Sequence, residues 1–319
     1  MALLSIVLPS YNEEQNIMNT GSVLTELMEK NGIDYELVFV SDGSKDNTYS
    51  EICKLQKSNP HVKGAEFSRN FGKEAAIFAG LELATGDAVV VMDCDLQHPP
   101  EVVVEMYEKW KTGTEVVEGI KNTRGKENIF HKAFANIFYG IMSSLIKMDM
   151  KSSSDFKLLD RKVVNALLEM PEKETFFRAL SFWVGFKKDS VYYDVRERQF
   201  GSSKWSFTSL VRYAISNVLG FTTLPLKIVS WFGFVFVILS IGLAIQTLVR
   251  FCMGTAADGF TTVILLLLMI GGLIMICLGI IGNYIARIYE EVKGRPRYII
   301  SKVTDNMPEQ VKGAWKKHD

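Results

Sequence analysis

The fold of this chain is decided by the stretch Ala88-Val89-Val90-Val91-Met92-Asp93-Cys94-Asp95-Leu96-Gln97-His98-Pro99-Pro100-Glu101. Five consecutive apolar residues are typical of a strand that is buried on both faces, as in a parallel sheet covered by helices. Two aspartates follow directly after this run. Two carboxylates separated by one residue repel each other unless a cation lies between them, and hard oxygen ligands suit Mg²⁺ or Mn²⁺ bridging phosphate oxygens. The stretch therefore predicts a buried strand with a metal-diphosphate site at its carboxyl end.

On either side of this stretch, residues 1 to about 120 alternate short β-branched runs with amphipathic segments of helical period. The pattern predicts strands over residues 5–8, 35–41, 62–67, 88–92 and 115–118, and helices over about 14–30, 47–57, 73–84 and 100–111. Such alternation indicates an α/β domain, Rossmann-like, with a mostly parallel sheet and helices on each face. Ligands of these sheets bind beyond the carboxyl ends of the strands. The polar residues that follow each strand are therefore the candidate site.

Charge and cysteine content exclude several classes of protein. The 319 residues carry 36 Lys and Arg against 36 Asp and Glu, whereas a dedicated nucleic-acid binder is expected to be strongly basic. The four cysteines form no CxxC pair and no cluster with histidine at zinc spacing, which argues against a structural metal or a redox motif. A reducing compartment fits this pattern best.

The apolar surplus lies near the end of the chain. Residues 228–249 and 259–286 contain no charged side chain, and each run reaches the roughly 20 residues that an α-helix needs to cross a bilayer. We predict two transmembrane helices, at about 228–249 and 260–286, within an anchor over 226–288. A pair of buried core helices is the alternative. Basic residues flank both runs, so the positive-inside rule predicts a multi-pass protein of the cell membrane with its N-terminal domain and both termini in the cytoplasm.

The predicted cytoplasmic domain covers residues 1–225, and a basic cytoplasmic tail covers 289–319. Within the domain, the segments 128–147 and 205–221 combine an apolar face, aromatic residues and Lys or Arg, as expected of helices that lie in the membrane interface. Ordinary amphipathic core helices would give the same pattern. If the segments are interfacial, they bring the candidate site close to the bilayer.

Three of the loops that follow strands carry motifs of a known family. Pro9-x-Tyr11-Asn12-Glu13, Ser41-Asp42-Gly43-Ser44 and the Asp93 to Glu101 motif resemble the nucleotide-sugar motifs of glycosyltransferase family 2. Further along, segments 155–161 and 197–205, the two apolar runs and the tail 287–296 are similar to the polyprenyl-phosphate glycosyltransferases of that family, which include bactoprenol glucosyltransferases and dolichol-phosphate mannose synthases. This sequence departs from the family pattern at Cys94, where Ala is common, and at Lys121, where Arg is common.

The resemblance implies a GT-A catalytic domain and an inverting transfer of a hexose or N-acetylhexosamine from a UDP-sugar to undecaprenyl phosphate, with Mg²⁺ or Mn²⁺ as cofactor. Asp95 is the implied catalytic residue and, with Asp93, the metal ligand. The residues implied to bind the nucleotide-sugar are Pro9, Tyr11, Glu13, Asp42, Asp93 and Gln97. The implied partners are membrane lipid, a downstream flippase and membrane proteins that pass the sugar to wall or surface glycans. Formation of a homo-oligomer is left open.

A polyprenyl phosphate is an anion at neutral pH, since the second pKa of a phosphate monoester is about 6. It needs a cationic clamp more than a general base, and Arg suits phosphate geometrically. The candidates are Lys121, Arg124, Arg198 and Lys204, for which solvated surface charge is the alternative. Asp155 matches an acidic position of the family and is a second catalytic candidate, either as a base or as a group that orients the acceptor. We assign no acid or base role to His98 or His131.

Two other functions remain to be distinguished. A processive polysaccharide synthase shares the nucleotide-sugar half, but it normally has more spans and a Gln-x-x-Arg-Trp segment that residues 199–205 do not provide. A membrane-tethered binding protein that has lost activity is the other alternative. The acids Asp42, Asp93 and Asp95 argue against the second.

Overall fold

The computed structural model describes residues 2–122, 154–172, 176–195, 224–253 and 259–307. The chain divides into two compact units. One comprises residues 1–206 together with 296–319, and the other comprises residues 207–295.

The first unit contains a mixed sheet and six described helices. Its strands are β1 Leu4–Ser10, β2 Tyr35–Ser41, β3 Val62–Phe67, β4 Ala88–Val91, β5 Val116–Lys121, β6 Lys157–Asp160, β7 Lys188–Tyr193 and β8 Ile300–Val303. Its helices are α1 Glu14–Lys30, α2 Thr48–Ser58, α3 Lys73–Leu83, α4 Glu101–Lys111, α5 Arg161–Leu168 and α6 Phe177–Trp183. The five strands and four helices predicted in the first 120 residues are all present, close to their predicted bounds.

The strands lie in the order β7-β5-β6-β4-β1-β2-β3-β8. β4, β1, β2 and β3 are parallel to their neighbours in that series, and β5 is parallel to β7. β6 is antiparallel to both β4 and β5, and β8 is antiparallel to β3. The prediction of an α/β fold with a mostly parallel sheet is confirmed. Sequence reasoning did not predict β6, β7, β8, α5 or α6.

The central strands are buried because helices cover both faces of the sheet. On one face Ile6 and Phe39 belong to an apolar cluster that includes Leu24 of α1 and Val103 of α4, each less than 1% exposed. On the other face α3 packs closely on β1, since a Cβ atom on Gly80 would lie 2.1 Å from Cγ1 of Val7. The central strands are therefore held between helices on both faces of the sheet.

The second unit contains two long helices, α7 Leu224–Cys252 and α8 Phe260–Val292. Their described apolar side chains are largely exposed, among them Phe234 and Leu267, each 64% exposed. Among the described residues, one stretch of α8, Met269–Val292, is long and apolar enough to cross a membrane, whereas the apolar stretch Val229–Leu243 of α7 is shorter. The two predicted spans thus correspond to two observed helices, and the two-helix anchor stays a prediction.

The predicted interfacial helices at 128–147 and 205–221 lie outside the described residues. In the region assigned to the basic tail, β8 adds a strand to the edge of the catalytic sheet beside β3. Tyr298 stacks on Phe67 with ring centroids 5.0 Å apart. Part of the tail is therefore an integral element of the first unit.

Candidate active site

Three neighbouring parallel strands bring their carboxyl ends to one edge of the sheet. β4, β1 and β2 are adjacent in that order, and the loops that follow them begin close to Asp93, Tyr11 and Asp42. The backbone N–H of Asp42 donates to the carbonyl of Ser10 over 2.9 Å, which joins two of these strand ends. The nucleotide and metal motifs predicted from the sequence therefore begin at the same edge.

Asp42 is a buried acid that attaches the loop after β3 to the end of β2. Its Oδ1 accepts a hydrogen bond from the backbone N–H of Phe71 at 2.6 Å, and its Oδ2 accepts one from Gly72 at 2.9 Å. Gly43 has φ +60° and lies so close to this loop that a Cβ atom would stand 2.2 Å from the carbonyl carbon of Arg69. Burial raises the pKa of Asp42 despite the two bonds. Carboxylate oxygens have further lone pairs, which leaves acceptor capacity for a ligand.

The loop after β1 carries Pro9, Tyr11 and Glu13. Pro9 is buried, and the other two residues are half-buried. The backbone N–H of Glu13 donates to Oγ1 of Thr48 at 2.9 Å, and its Oε2 accepts from Nδ2 of Asn16 at 2.6 Å. The loop is thus bonded to the start of α2, directly beyond the Asp42 loop.

The two aspartates after β4 have different surroundings. Asp93 is about one third exposed, and its Oδ1 lies 2.6 Å from Nζ of Lys73. Asp95 is buried, and its Oδ1 accepts from the backbone N–H of Gln97 at 3.1 Å. Leu96, which directly follows Asp95, has φ +53°, a left-handed conformation that costs a non-glycine residue roughly 1–2 kcal/mol. The motif is therefore a strained turn, and such strain is common at ligand sites.

The donor set after β4 fits a divalent cation that takes most of its ligands from a bound phosphate. Within the described ranges, three or more His, Cys, Asp or Glu side chains do not converge as a complete metal cage. Mg²⁺ is commonly held by one or two carboxylates while waters and substrate phosphates supply the rest. Asp93 and Asp95 match that requirement, and the amide oxygen of Gln97 is a further donor of the same hard type.

A chain of alternating charges connects Asp93 to α6. The ammonium of Lys73, the first residue of α3, lies 2.6 Å from Asp93 and 3.1 Å from Oδ2 of Asp155, which precedes β6. On its other side Asp155 receives two hydrogen bonds from Arg178, from Nε at 2.6 Å and from Nη2 at 3.0 Å. Two-point contacts of this kind fix geometry as well as charge.

Lys73 and Arg178 set the pKa values of the acids in this chain of charges. Burial alone would raise the pKa of Asp155, but Arg178 and Lys73 hold it well below its usual value. At Asp93, the positive charge of Lys73 likewise outweighs the effect of burial, and the pKa of Asp93 is lowered. At Glu74, burial and the negative charge of Asp155 raise the pKa to about 7. Asp155 is therefore a permanent carboxylate, which is poorly suited to accept a proton.

An aromatic cluster lies beneath the loop after β4. The ring of His98 stacks on Phe156 with centroids 4.7 Å apart, and both rings meet Tyr193 edge to face. Burial lowers the pKa of His98 to about 4, so the ring is neutral. Nδ1 of His98 and the hydroxyl of Tyr193 have no hydrogen-bond partner among the described residues. A neutral, stacked His98 agrees with our assigning it no acid or base role.

Of the four residues predicted to clamp the acceptor phosphate, Lys121 is described and lies at the end of β5, exposed and opposite Tyr193. Arg124, Arg198 and Lys204 lie outside the described residues, so their role stays a prediction.

Sequence reasoning missed Arg178 and gave Lys73 no specific role. The signal that could have found Lys73 is its position directly after the loop that follows β3, a loop that also carries Arg69. Arg178 belongs to no motif, and its partner Asp155 precedes it by 23 residues. A bidentate arginine of this kind could be found only from the tertiary contacts.

Comparison with known proteins gives two family matches. The model of glycosyl transferase family 2 matches residues 5–167, and the model of the GtrB C-terminal hairpin matches residues 224–288.

Similar proteins align over nearly the whole chain. A prophage bactoprenol glucosyl transferase homolog of Escherichia coli (strain K12) is 36% identical over 305 residues, covering 94% of this chain and 99% of the relative. The bactoprenol glucosyl transferase of Shigella phage SfII is 36% identical over 304 residues, covering 94% and 97%. The uncharacterized glycosyltransferase YkcC of Bacillus subtilis (strain 168) is 39% identical over 308 residues, covering 93% of each.

Among solved structures, glucosyl-3-phosphoglycerate synthase from Mycobacterium tuberculosis, in complex with Mn²⁺, UDP and phosphoglyceric acid, has a similar fold. It superimposes with a TM-score of 0.50 at 20% identity, covering 69% of this chain and 78% of the synthase.

Proposed function

The chain belongs to glycosyltransferase family 2, and on that premise we propose that it transfers a hexose or N-acetylhexosamine from a UDP-sugar to a polyprenyl phosphate in the membrane. Membership confirms the resemblance drawn from the motifs, and the chain is accordingly a glycosyltransferase. The donor, the sugar and the lipid acceptor are the proposal. Two similar proteins named bactoprenol glucosyl transferase or its homolog, matched along almost their full lengths, support a polyprenyl phosphate such as undecaprenyl phosphate as the acceptor.

The observation that carries the proposal is the pair of acidic loops at the carboxyl ends of β2 and β4, the two strands that flank β1. Asp42 follows β2, Asp93 and Asp95 follow β4, and β1 lies between these two strands. This arrangement suits a nucleotide whose base lies near Asp42 and whose diphosphate lies near the Asp93 loop. A bound Mg²⁺ or Mn²⁺ would supply Lewis acidity to the leaving diphosphate.

Residues of the chain would bind the two substrates and the cation. Pro9, Tyr11 and Glu13 would contact the nucleoside, and Asp93, Asp95 and Gln97 would hold the cation and the diphosphate. Because a lipid phosphate is already ionised near neutral pH, it can attack the sugar without a general base. Lys121, with Arg124, Arg198 and Lys204, would hold this anion beside the donor.

A parity argument supports the proposed membrane anchor of two helices. β1 to β7 precede α7 in the chain, β8 follows α8, and all eight strands form one sheet. Any membrane crossings between residues 195 and 300 must therefore be even in number, because one sheet can lie on only one side of a membrane. Met269–Val292 qualifies as one span, and α7, whose 29 residues are about 44 Å long at 1.5 Å per residue, is a candidate for the second. The match of residues 224–288 to a hairpin family supports this topology.

Turnover of radiolabelled UDP-sugars with undecaprenyl phosphate tests the proposed reaction. We expect the wild-type chain, in the presence of Mg²⁺ or Mn²⁺, to yield a labelled lipid phosphate sugar. Asp95→Ala should lower kcat by at least about 100-fold, since it removes a group that acts on the charge of the leaving diphosphate. A panel of UDP-sugars in the same assay would identify the donor.

Asp189→Asn is the matched control, because Asp189 is a half-exposed carboxylate on β7 whose ion pair with Lys109 lies at the surface. It should leave turnover unchanged. Equal activity of Asp95→Ala and wild type would refute the metal-site assignment. A wild-type chain that binds UDP-sugar but transfers nothing to the lipid would support the inactive binding protein instead.

A further inference from the structure

Lys73 is the most exposed member of the charge chain at the sheet edge. Its side chain is 42% exposed, whereas those of Asp93, Arg178 and Asp155 are 34%, 27% and 10% exposed. The ammonium uses two directions for Asp93 and Asp155, and an ammonium has three N–H donors. One donor is therefore left at the edge where Asp93 begins the metal motif.

Two features fix the position of this ammonium. Lys73 begins α3 directly after the loop that Asp42 holds by the N–H groups of Phe71 and Gly72, so its backbone is tied to the end of β2. At the other end of the side chain, the ammonium donates to Asp155. Asp155 in turn accepts hydrogen bonds from both Nε and Nη2 of Arg178. Arg178 thus orients Asp155, and Asp155 orients Lys73.

The charge balance of this group favours an anionic ligand. Lys73 and Arg178 neutralise Asp93 and Asp155, so a divalent cation bound at Asp93 would leave the positive charge of Lys73 only partly compensated. A phosphate oxygen is the anion that the proposed reaction brings to this edge. Charge-assisted hydrogen bonds from Lys to phosphate are among the stronger ones in proteins.

We propose that Lys73 donates its remaining N–H to a phosphate oxygen of a substrate, and that Arg178 is the positioning residue that holds Lys73 in place through Asp155. The proposal rests on the proposed function, because that function supplies the phosphate. The oxygen belongs either to the donor diphosphate or to the lipid monophosphate. In this arrangement Asp155 is a fixed anion that orients cations and accepts no proton.

The test uses the full-length chain with UDP-glucose and undecaprenyl phosphate, and it compares Lys73→Gln, Arg178→Gln and Arg178→Lys with wild type. Lys73→Gln should lower kcat/KM by about 10- to 100-fold, as expected for a lost hydrogen bond to a charged group. If the bonded oxygen belongs to the diphosphate, the Kd for UDP rises by a similar factor. If it belongs to the lipid, the KM for undecaprenyl phosphate rises while the Kd for UDP stays within about twofold.

Arg178→Gln should change the same parameter as Lys73→Gln, and the double variant should lose no more than Lys73→Gln alone, because both act through one contact. Arg178→Lys should recover part of the loss, since it restores the charge without the two-point grip. A general loss of folding would instead lower thermal stability and all kinetic parameters together. Lys162→Gln, which removes an exposed ion pair with Glu115, is the control and should behave as wild type.

If the wild type is active and Lys73→Gln has the same kcat/KM, the same KM for the lipid and the same Kd for UDP, this inference is overturned. The proposed function would still stand. Losses that multiply in the double variant would overturn the positioning role of Arg178. A wild-type chain that turns over no donor would overturn the proposed function and this inference with it.

Discussion

At the scale of single residues, Glu74 shows what burial beside the charge chain does to an acid. Its Oε2 accepts the backbone N–H of Phe177 at 2.8 Å. Burial, followed by the negative charge of Asp155, raises its pKa from 4.5 to about 7, although that hydrogen bond, Arg178 and Lys73 oppose the shift. Between these two pH values the folded chain keeps Glu74 protonated while the unfolded chain ionises it. The contribution of Glu74 to stability is therefore full below about pH 4.5 and is lost as the pH rises through 7.

Replacing Glu74 by Gln should remove this pH dependence. We expect Glu74→Gln and wild type to have similar Tm values at pH 5, and the variant to be more stable at pH 8 by a few degrees, since about 1 kcal/mol corresponds to 2–4 °C in a domain of 150–250 residues. Thermal unfolding in detergent at several pH values measures the difference. Glu108→Gln, which alters an exposed acid paired with Lys111, should show no such trend. A variant that is equally destabilised at every pH would contradict the assignment.

At the scale of elements, β8 joins the end of the chain to the catalytic sheet. Oγ1 of Thr304 accepts the backbone N–H of Gly64 at 2.9 Å, and the Tyr298 hydroxyl bonds Glu82 on α3. β8 covers the edge of β3, which would otherwise present unpaired backbone groups. These contacts make the strand a part of the core of the first unit.

Ending the chain after residue 293 should therefore destabilise the catalytic domain as well as shorten the tail. We expect a lower Tm and aggregation on size-exclusion chromatography, because the edge of β3 and the ring of Phe67 lose their cover. A chain ending after residue 307 keeps β8 and serves as the control. Identical Tm values for the two truncations would show that β8 contributes nothing to stability.

At the scale of the whole molecule, the chain leaves the catalytic unit before α7 and returns to the same sheet after α8. A truncation near residue 204 would remove β8 along with the helices. An internal deletion of residues 226–295, replaced by a flexible Gly/Ser linker, separates the two effects because it keeps the strand.

We expect the full chain to stay with membranes after a carbonate wash and the internally deleted chain to be released, since a membrane-spanning helix is held far more strongly than a surface-bound segment. Immunoblotting of pellet and supernatant measures the fraction of each chain that stays with the membranes. Retention of the deleted chain in the pellet would mean that other segments suffice for tight attachment. In that case the hairpin would not be the main anchor.

Much of the fold was predictable because its signals are local. The run Ala88 to Val91 and its counterparts in β1 and β2 are continuously apolar, and helices of clear period separate them, so the existence of these strands and helices and the mostly parallel direction of the strands follow from the sequence. β6, Lys157-Leu158-Leu159-Asp160, and β8, Ile300-Ser301-Lys302-Val303, were missed because neither carries a continuous apolar run like that of β4. Their antiparallel direction depends on where distant segments fit.

The amino-acid sequence by itself determined that acidic loops follow buried strands of a mostly parallel sheet, because strand burial and turn chemistry act over a few residues. Only the tertiary structure decided how those acids are neutralised. Lys73 meets Asp155 across 82 residues, and Arg178 meets the same carboxylate from a separate helix. Ion pairs between such distant positions leave no periodic or spacing pattern, since they depend on packing that brings three elements together at one point.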